Sequence, residues 1–342
     1  MFEFEIDSSG NLSVLPSKIL KERVAIRCAE VQSMLEKSLE NSFKSSAKHS
    51  KILALHPAAQ GLYAFKQGHV TKEHAGKLLE YLTRLPEERL RRLESNCLTV
   101  EQQQILIPEQ DTRGARILVE NDYPLDYLDQ DFGALTETLG DEWRASLQVN
   151  TISFVNVPGM PDLPYFSGST SDFWGAMHMT RPSSRYILAE SVTHESSHFW
   201  VHCLEEISAL SEHSWDNEVW VSAWREDPRP IGGVIHGVHV FSCIATVLTC
   251  LCMNETSVDE QTKQAQLARL AYVIAQVEDG ISECERSGLL LEAGKEILRF
   301  SNSRLQAPQN YVDSALLTVM REQVFAKRVA KQKSWRQKGW VH

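Results

Sequence analysis

The pattern of apolar and polar positions predicts an early strand pair, a helical stretch, a short β-containing segment and a second helical stretch. Residues 1–16 alternate as MFEFEID and NLSVLP around Ser8-Ser9-Gly10, which reads as a short hairpin. Ser17 is placed to cap a helix over 18–42, where Leu20, Val24, Ile26, Val31 and Leu35 are the apolar positions. His56-Pro57 interrupts the next stretch, and 61–70 reads as a loop. Two further helices are expected at 72–85 and, behind Pro86, at 87–93. Runs rich in Ile, Val, Phe and Thr predict strands at 115–120 and 148–157, with a helix over 131–147 between them. The Pro/Gly/Ser stretch 158–171 is too long to be idle and is expected to be a substrate-side loop. Residues 173–180 then read as an edge strand.

A helix-like run over 185–210 comes next, followed by a polar loop at 211–217 and an aromatic-rich segment at 218–224. Gly232-Gly233 leads into an apolar helix over 234–253, and amphipathic helices are expected at 257–285, 289–304 and 310–332. The basic tail 327–340, with six Lys and Arg, is expected to be a solubilising, frayed terminus. These elements add up to a mainly α protein with a small β element (α+β) and no internal repeat. A helical N-terminal region over 1–110 and a catalytic domain over 111–342 are the expected divisions.

Composition narrows the function classes. The 342 residues are 42% hydrophobic and 23% charged, enough for a substantial core. A net charge of −10 argues against nucleic acid or an anionic membrane surface as partner. Met1 to Gly10 carries no secretory pattern, and the apolar stretch 234–253 is broken by His236, His239, Ser242 and Thr249. The chain therefore reads as soluble and cytoplasmic, with no membrane partner; nothing in it specifies an oligomeric state. Its seven scattered cysteines include no CxxC pair, so neither a disulfide framework nor a zinc knuckle is expected. They read as small buried side chains.

Chemistry concentrates at Thr193-His194-Glu195-Ser196-Ser197-His198, an HExxH sequence. Residues four apart on a helix share a face, so His194 and His198 can hold one metal ion with Glu195 beside them. This predicts a zincin-like HExxH helix within a helical catalytic domain. His202 continues the spacing, but eight residues of helix rise about 12 Å, too far to share an ion with His194 at bonds of about 2 Å. It reads as a packing or outer residue, and His178 as structural. The third ligand comes from elsewhere. Glu218 lies twenty positions after His198, within Asn217-Glu218, the HExxH-x19-E spacing of thermolysin-like zinc peptidases. His236 and His239, at the start of the apolar helix, are the other candidates. The metzincin pattern fails, because Val201 and Leu204 stand where it needs glycine and histidine.

The stretch from Trp224 to Gly237, WREDPRPIGGVIHG, extends the motif. With the upstream HExxH it resembles the HExxH-motif proteins encoded in clusters for ribosomally made, modified (RiPP) peptides, whose pattern runs WRxDPRPxxGxxHG. The resemblance covers about residues 190–245. It implies a non-haem iron(II), 2-oxoglutarate-dependent dioxygenase that consumes O2 and hydroxylates side chains, at Cβ, of a ribosomally synthesised precursor peptide. Iron oxygenases need three facial ligands and three open positions. His194, His198 and His236 would give a three-histidine set, and Glu218 in place of His236 a two-His-one-carboxylate set. The distal carboxylate of 2-oxoglutarate needs a planar cation, and Arg225 and Arg229 are the candidates; a salt bridge to Glu226 or Asp227 is their other reading. Pro228 and Pro230 would stiffen this loop, and Gly232-Gly233 would allow close backbone approach.

Glu195 takes a different role in each chemistry. In a zinc peptidase built on His194, His198 and Glu218 it is the general base. An oxygenase requires no such base, so Glu195 would hold a water, orient a ligand or position the substrate. A non-catalytic peptide-binding maturation protein is the third reading.

Overall fold

The computed structural model describes the backbone of residues 2–6 and 12–16, and parts of 25–34, 59–67 and 71–78. It then describes residues 118–119, 125–147, 151–156, 166–170, 173–213, 215–216, 219–254 and 258–339. The expected helix at 87–93, the larger part of that over 18–42, most of the 158–171 loop and Glu218 lie outside these residues.

The chain is mainly α-helical with a small β element. It forms two compact units that interleave along the sequence. One, here the sheet unit, takes 18–133 and 147–199; the other, the helix unit, takes 1–17, 134–146 and 200–342. The units therefore do not divide at the expected 110/111 boundary. The N-terminal hairpin is present as an antiparallel pair, β1 (Phe2–Ile6) and β2 (Leu12–Pro16), in register Phe4↔Val14. The single helix expected at 131–147 is two, α1 (Leu125–Leu139) and α2 (Asp141–Ser146). Gly140, at φ 91°, separates them in a left-handed conformation that favours glycine.

The sheet unit carries a four-stranded sheet: β3 (Leu118–Val119), β4 (Thr151–Asn156), β5 (Ser167–Ser169) and β6 (Ala176–Met179). Their order is β3-β4-β6-β5, with β4 and β6 parallel and the other pairs antiparallel. The expected edge strand, β6, is thus internal, and all four of its residues are buried. The edge is β5, which comes out of the Pro/Gly/Ser stretch and covers β6. Behind the sheet strands in sequence comes the motif helix, α3 (Arg185–Glu205), five residues shorter than the run to 210. Leu188, Ala189, Val192 and Phe199 on α3 are buried.

The helix unit is built on α4 (Ile231–Asn254), which packs against α5 (Glu260–Ser287) and α6 (Glu292–Arg304). By length and composition α4 could cross a membrane, but nearly all its residues are buried within the unit. Gly232 and Gly233 sit inside its first turn rather than ahead of it. After the short α7 (Gln306–Tyr311), α8 (Ser314–Gln337) is capped by Asp313, whose carboxylate accepts from the amides of Ala315 and Leu316. The tail expected to fray is instead helical to Gln337, with Arg328, Lys331 and Trp335 buried. Ion pairs hold it: Arg328 bonds Asp279 at 2.9 Å and also Glu283, both on α5. The described cysteines, Cys203, Cys243, Cys250, Cys252 and Cys284, are free thiols and all buried, as their scattered positions suggested.

Candidate metal centre

Helical spacing brings His194 and His198 together as expected. Their Nε2 atoms lie 3.1 Å apart, with the rings edge to face at a centroid distance of 4.8 Å. With metal–nitrogen bonds of about 2.1 Å, that separation subtends an angle of about 95° at a shared ion. The pair therefore fits two adjacent corners of one coordination shell.

Glu195 does not turn toward these imidazoles. It is buried, and its two carboxylate oxygens accept hydrogen bonds from Ser167 Oγ at 2.7 Å and Ser169 Oγ at 2.5 Å. Alternate residues of a strand share a face, so the two serines of β5 present a hydroxyl pair matched to one carboxylate. The residue between them, Gly168, faces His178 across the β5–β6 pair. A Cβ at Gly168 would lie 2.6 Å from His178 Nε2, so the imidazole occupies the space a side chain would need. Burial pushes the His178 pKa down to about 4, against the opposing pull of the Glu195 charge. His178 is thus a neutral packing residue.

A second cluster sits in the last turn of α3. His202 and Glu205 are three apart, and Glu205 Oε2 lies 3.3 Å from His202 Nδ1 and 3.1 Å from His236 Nε2. The His202 and His236 rings are 4.8 Å apart, and Trp215 meets His236 edge-on at 5.4 Å. Burial works to raise the Glu205 pKa, but hydrogen bonds from His202 and His236, and the charge of both rings, hold it near 2. His236, fully enclosed, has its pKa lowered by burial, which favours the neutral ring that a metal needs. Among the described residues, these three form a grouping whose donor atoms all lie within 4.8 Å of one another.

His239 goes elsewhere. Its Nδ1 is 3.3 Å from Arg304 Nη1 and its Nε2 3.9 Å from Cys243 Sγ, in a buried polar cluster that Ser242 joins. Burial first, then the Arg304 charge, drives its pKa well below the ordinary histidine value. Of the sequence candidates, then, the structure brings His194 to His198, and His236 to Glu205 and His202. Glu205 was not among those candidates, and His202 had been assigned to packing. The signal available was a His-x-x-Glu pair on one helix face, one turn past HExxH.

The segment carrying Arg225 and Arg229 is a strap tied down along its length. Trp220 and Arg229 close it with two backbone hydrogen bonds of 3.0 Å. Lys331 Nζ donates to the carbonyls of Ser222 at 3.2 Å and Arg225 at 2.7 Å, and Trp335 Nε1 to that of Glu226 at 2.8 Å. Gln276 Nε2 donates to the Ala223 carbonyl, and the Val221 amide to Glu283 Oε1, both at 2.9 Å. Trp224 stacks on Phe241 at 4.9 Å and lies over Gly237, where a Cβ would come within 2.5 Å of its ring. Both guanidiniums turn to Asp227, Arg225 Nε at 3.3 Å and Arg229 Nη1 at 3.4 Å. Burial works to raise the Asp227 pKa, but a backbone hydrogen bond and the two arginine charges lower it. The salt-bridge reading of these arginines is therefore realised, through Asp227. No model of a known protein family matches the chain, and no curated protein matches it either.

Proposed function

We propose that the chain is a non-haem iron(II), 2-oxoglutarate-dependent oxygenase that hydroxylates, at Cβ, a residue of a ribosomally synthesised precursor peptide. The observation that carries this reading is the His194–His198 pair, whose Nε2 atoms at 3.1 Å are spaced for one metal ion. The stretch WREDPRPIGGVIHG beyond it adds the resemblance to peptide-modifying HExxH proteins. When bound, iron(II) with 2-oxoglutarate and O2 supplies the oxidising power that turns a substrate C–H into C–OH, while the oxoacid leaves as succinate and CO2.

The chain's own residues have defined tasks in that chemistry. His194 and His198, on a zincin-like helix, hold the metal; His236 is the third donor the resemblance implies. The resemblance makes Arg225 and Arg229 the candidates for the distal carboxylate of the oxoacid, a planar cation suiting that partner, and each also pairs with Asp227. Glu195, bound through both oxygens to Ser167 and Ser169, is a positioning residue that ties the motif helix to β5. That tether supports the oxygenase over a peptidase, in which the same carboxylate must take a proton from metal-bound water.

The test is to add iron(II) and 2-oxoglutarate to anaerobic protein and record its visible spectrum, then incubate with candidate precursor peptides in air. A weak charge-transfer band requiring both additions, with a peptide gaining one oxygen atom, is expected. Tight zinc, no band after iron exchange and a cleaved peptide would replace this reading with the peptidase.

A further inference from the structure

We infer that His202, Glu205 and His236 form a binding site in their own right for one divalent first-row transition-metal ion. The inference stands on the helix unit alone; it places His236 here, so the motif pair in the reaction proposed above would take its third donor from elsewhere, Glu218 being the other candidate at thermolysin-like spacing.

Two imidazole nitrogens from different elements converge on a single carboxylate oxygen. Glu205 Oε2 is 3.3 Å from His202 Nδ1 and 3.1 Å from His236 Nε2. With bonds of about 2.1 Å, those separations subtend about 95–105° at a shared ion, which suits adjacent coordination positions; the donor atoms all lie within 4.8 Å of one another, so the two imidazoles need to close by at most about 0.6 Å to share it. Two nitrogens and one carboxylate oxygen are a donor set that first-row divalent ions accept while keeping positions open.

The surroundings match. The His236 side chain is 4% exposed, Glu205 18% and His202 26%, so the set is anchored on its inner side and open to solvent on the other. Solvent or a small ligand can therefore complete the shell. Trp215 lies edge-on to the His236 ring at 5.4 Å and is itself half exposed, an aromatic wall at the rim. The backbone positions are set by helices: His202 and Glu205 are one turn apart on α3, and His236 lies in the first turns of α4, where every residue but Gly233 is buried. Without an ion His202 hydrogen-bonds the carboxylate, and His236 Nε2 lies 3.1 Å from the same oxygen. Metal binding moves each ring proton to its other nitrogen or to solvent, so no group must be built or moved far.

The experiment uses the full chain stripped of metal by chelator and titrated anaerobically with cobalt(II), read by visible absorption. Zinc bound per chain is counted in parallel after dialysis. Wild type is expected to bind two ions. Glu205→Gln and His202→Ala should each lose one ion and keep the other, whereas His194→Ala/His198→Ala should lose the other one. His202→Ala, on the more exposed arm, carries the test should Glu205→Gln not fold. Unchanged binding in both of those variants, with His236→Ala and the double variant removing the same single ion, overturns the inference. In that case His236 belongs to the motif pair and the oxygenase reading stands. A single ion kept by the double variant and lost in Glu205→Gln supports the inference and removes the metal from the motif pair. A chain that binds no ion overturns both.

Discussion

Helix α3 carries two histidine clusters, and the same residue types do different things in each. In the HExxH half the two imidazoles meet each other at 3.1 Å, while the carboxylate of Glu195 turns away to two serine hydroxyls. In the last turn the carboxylate of Glu205 is the hub, and the imidazoles of His202 and His236 gather on it. Helical spacing dictates that His194 and His198 converge, because that distance is internal to one helix. It does not dictate where a carboxylate goes, since that depends on which donors the neighbouring element offers. β5 offers hydroxyls to Glu195; α4 offers an imidazole to Glu205.

The frameworks behind the clusters differ as well, and the largest predicted effect tests that. In the helix unit, Glu283 accepts from Arg328, from Arg286 and from the Val221 amide that opens the strap. Both Arg328 and Glu283 are buried. Arg328→Leu leaves Glu283 and Asp279 short of their shared cation, a change that typically costs about 3–5 kcal/mol. Urea unfolding should show that loss. A loss under about 1 kcal/mol would mean that the strap is held by its carbonyl contacts to Lys331 and Trp335 instead.

Acid separates the two regions by pH window. His178 has its pKa lowered from 6.5 to about 4, so the unfolded chain binds the extra proton between those values. Its contribution is complete above pH 6.5 and is lost as pH falls toward 4, about 3 kcal/mol at 1.36 kcal/mol per pH unit. Glu205 has its pKa lowered from 4.5 to about 2. Its contribution has the same sign, is complete above pH 4.5 and is lost as pH falls toward 2, again about 3 kcal/mol. Denaturant unfolding at pH 7, 5.5, 4 and 3 should show both steps. His178→Gln should flatten the upper step and leave the lower one. Flattening of neither would place the acid sensitivity in other groups.

Much of this arrangement was legible in the sequence and part was not, for physical reasons. Strong periodicity placed the helices of the second half to within a few residues, because capping and apolar spacing are local. At α5 the ends are set by the Asp259 cap and the αL Gly288, so the helix runs Glu260–Ser287, three and two residues later than the bounds 257 and 285 read from spacing. The internal position of β6 was hidden, since its partner β5 is three residues, Ser-Gly-Ser, with no strand signal of its own. The helix expected over 310–332 was readable, but the docking of its basic tail was hidden, because Arg328 looks solvated until Asp279 and Glu283, some fifty residues earlier, are seen to face it. At the site, the HExxH pair was readable from spacing. Glu205 was not, because its meaning comes from His236 on another helix, thirty-one positions away.

A smaller effect is expected at the strand that joins His178 to Glu195. Gly168→Ala would put a methyl 2.6 Å from His178 Nε2. The buried ring cannot give way freely, so overpacking should cost about 1–3 kcal/mol. A stability equal to wild type would show that β5 shifts as a whole, and the Ser167 and Ser169 contacts to Glu195 would then shift with it.

The smallest predicted change in stability is the most informative about the motif. Glu195→Gln keeps the shape of the side chain. Its amide oxygen still accepts from one serine, and its NH2 can donate to the other once that hydroxyl rotates. What is lost is the charge on two hydrogen bonds, about 1 kcal/mol. Because the Glu195 charge works to raise the proton affinity of His178, the substitution should also lower the His178 pKa further below about 4, readable by NMR titration of its ring. Cobalt binding by His194 and His198 should stay within a few-fold of wild type, since Glu195 touches β5 and not the imidazoles. A large loss of metal with His178 unmoved would reverse the comparison between the clusters, making Glu195, like Glu205, a carboxylate that serves its neighbouring histidines.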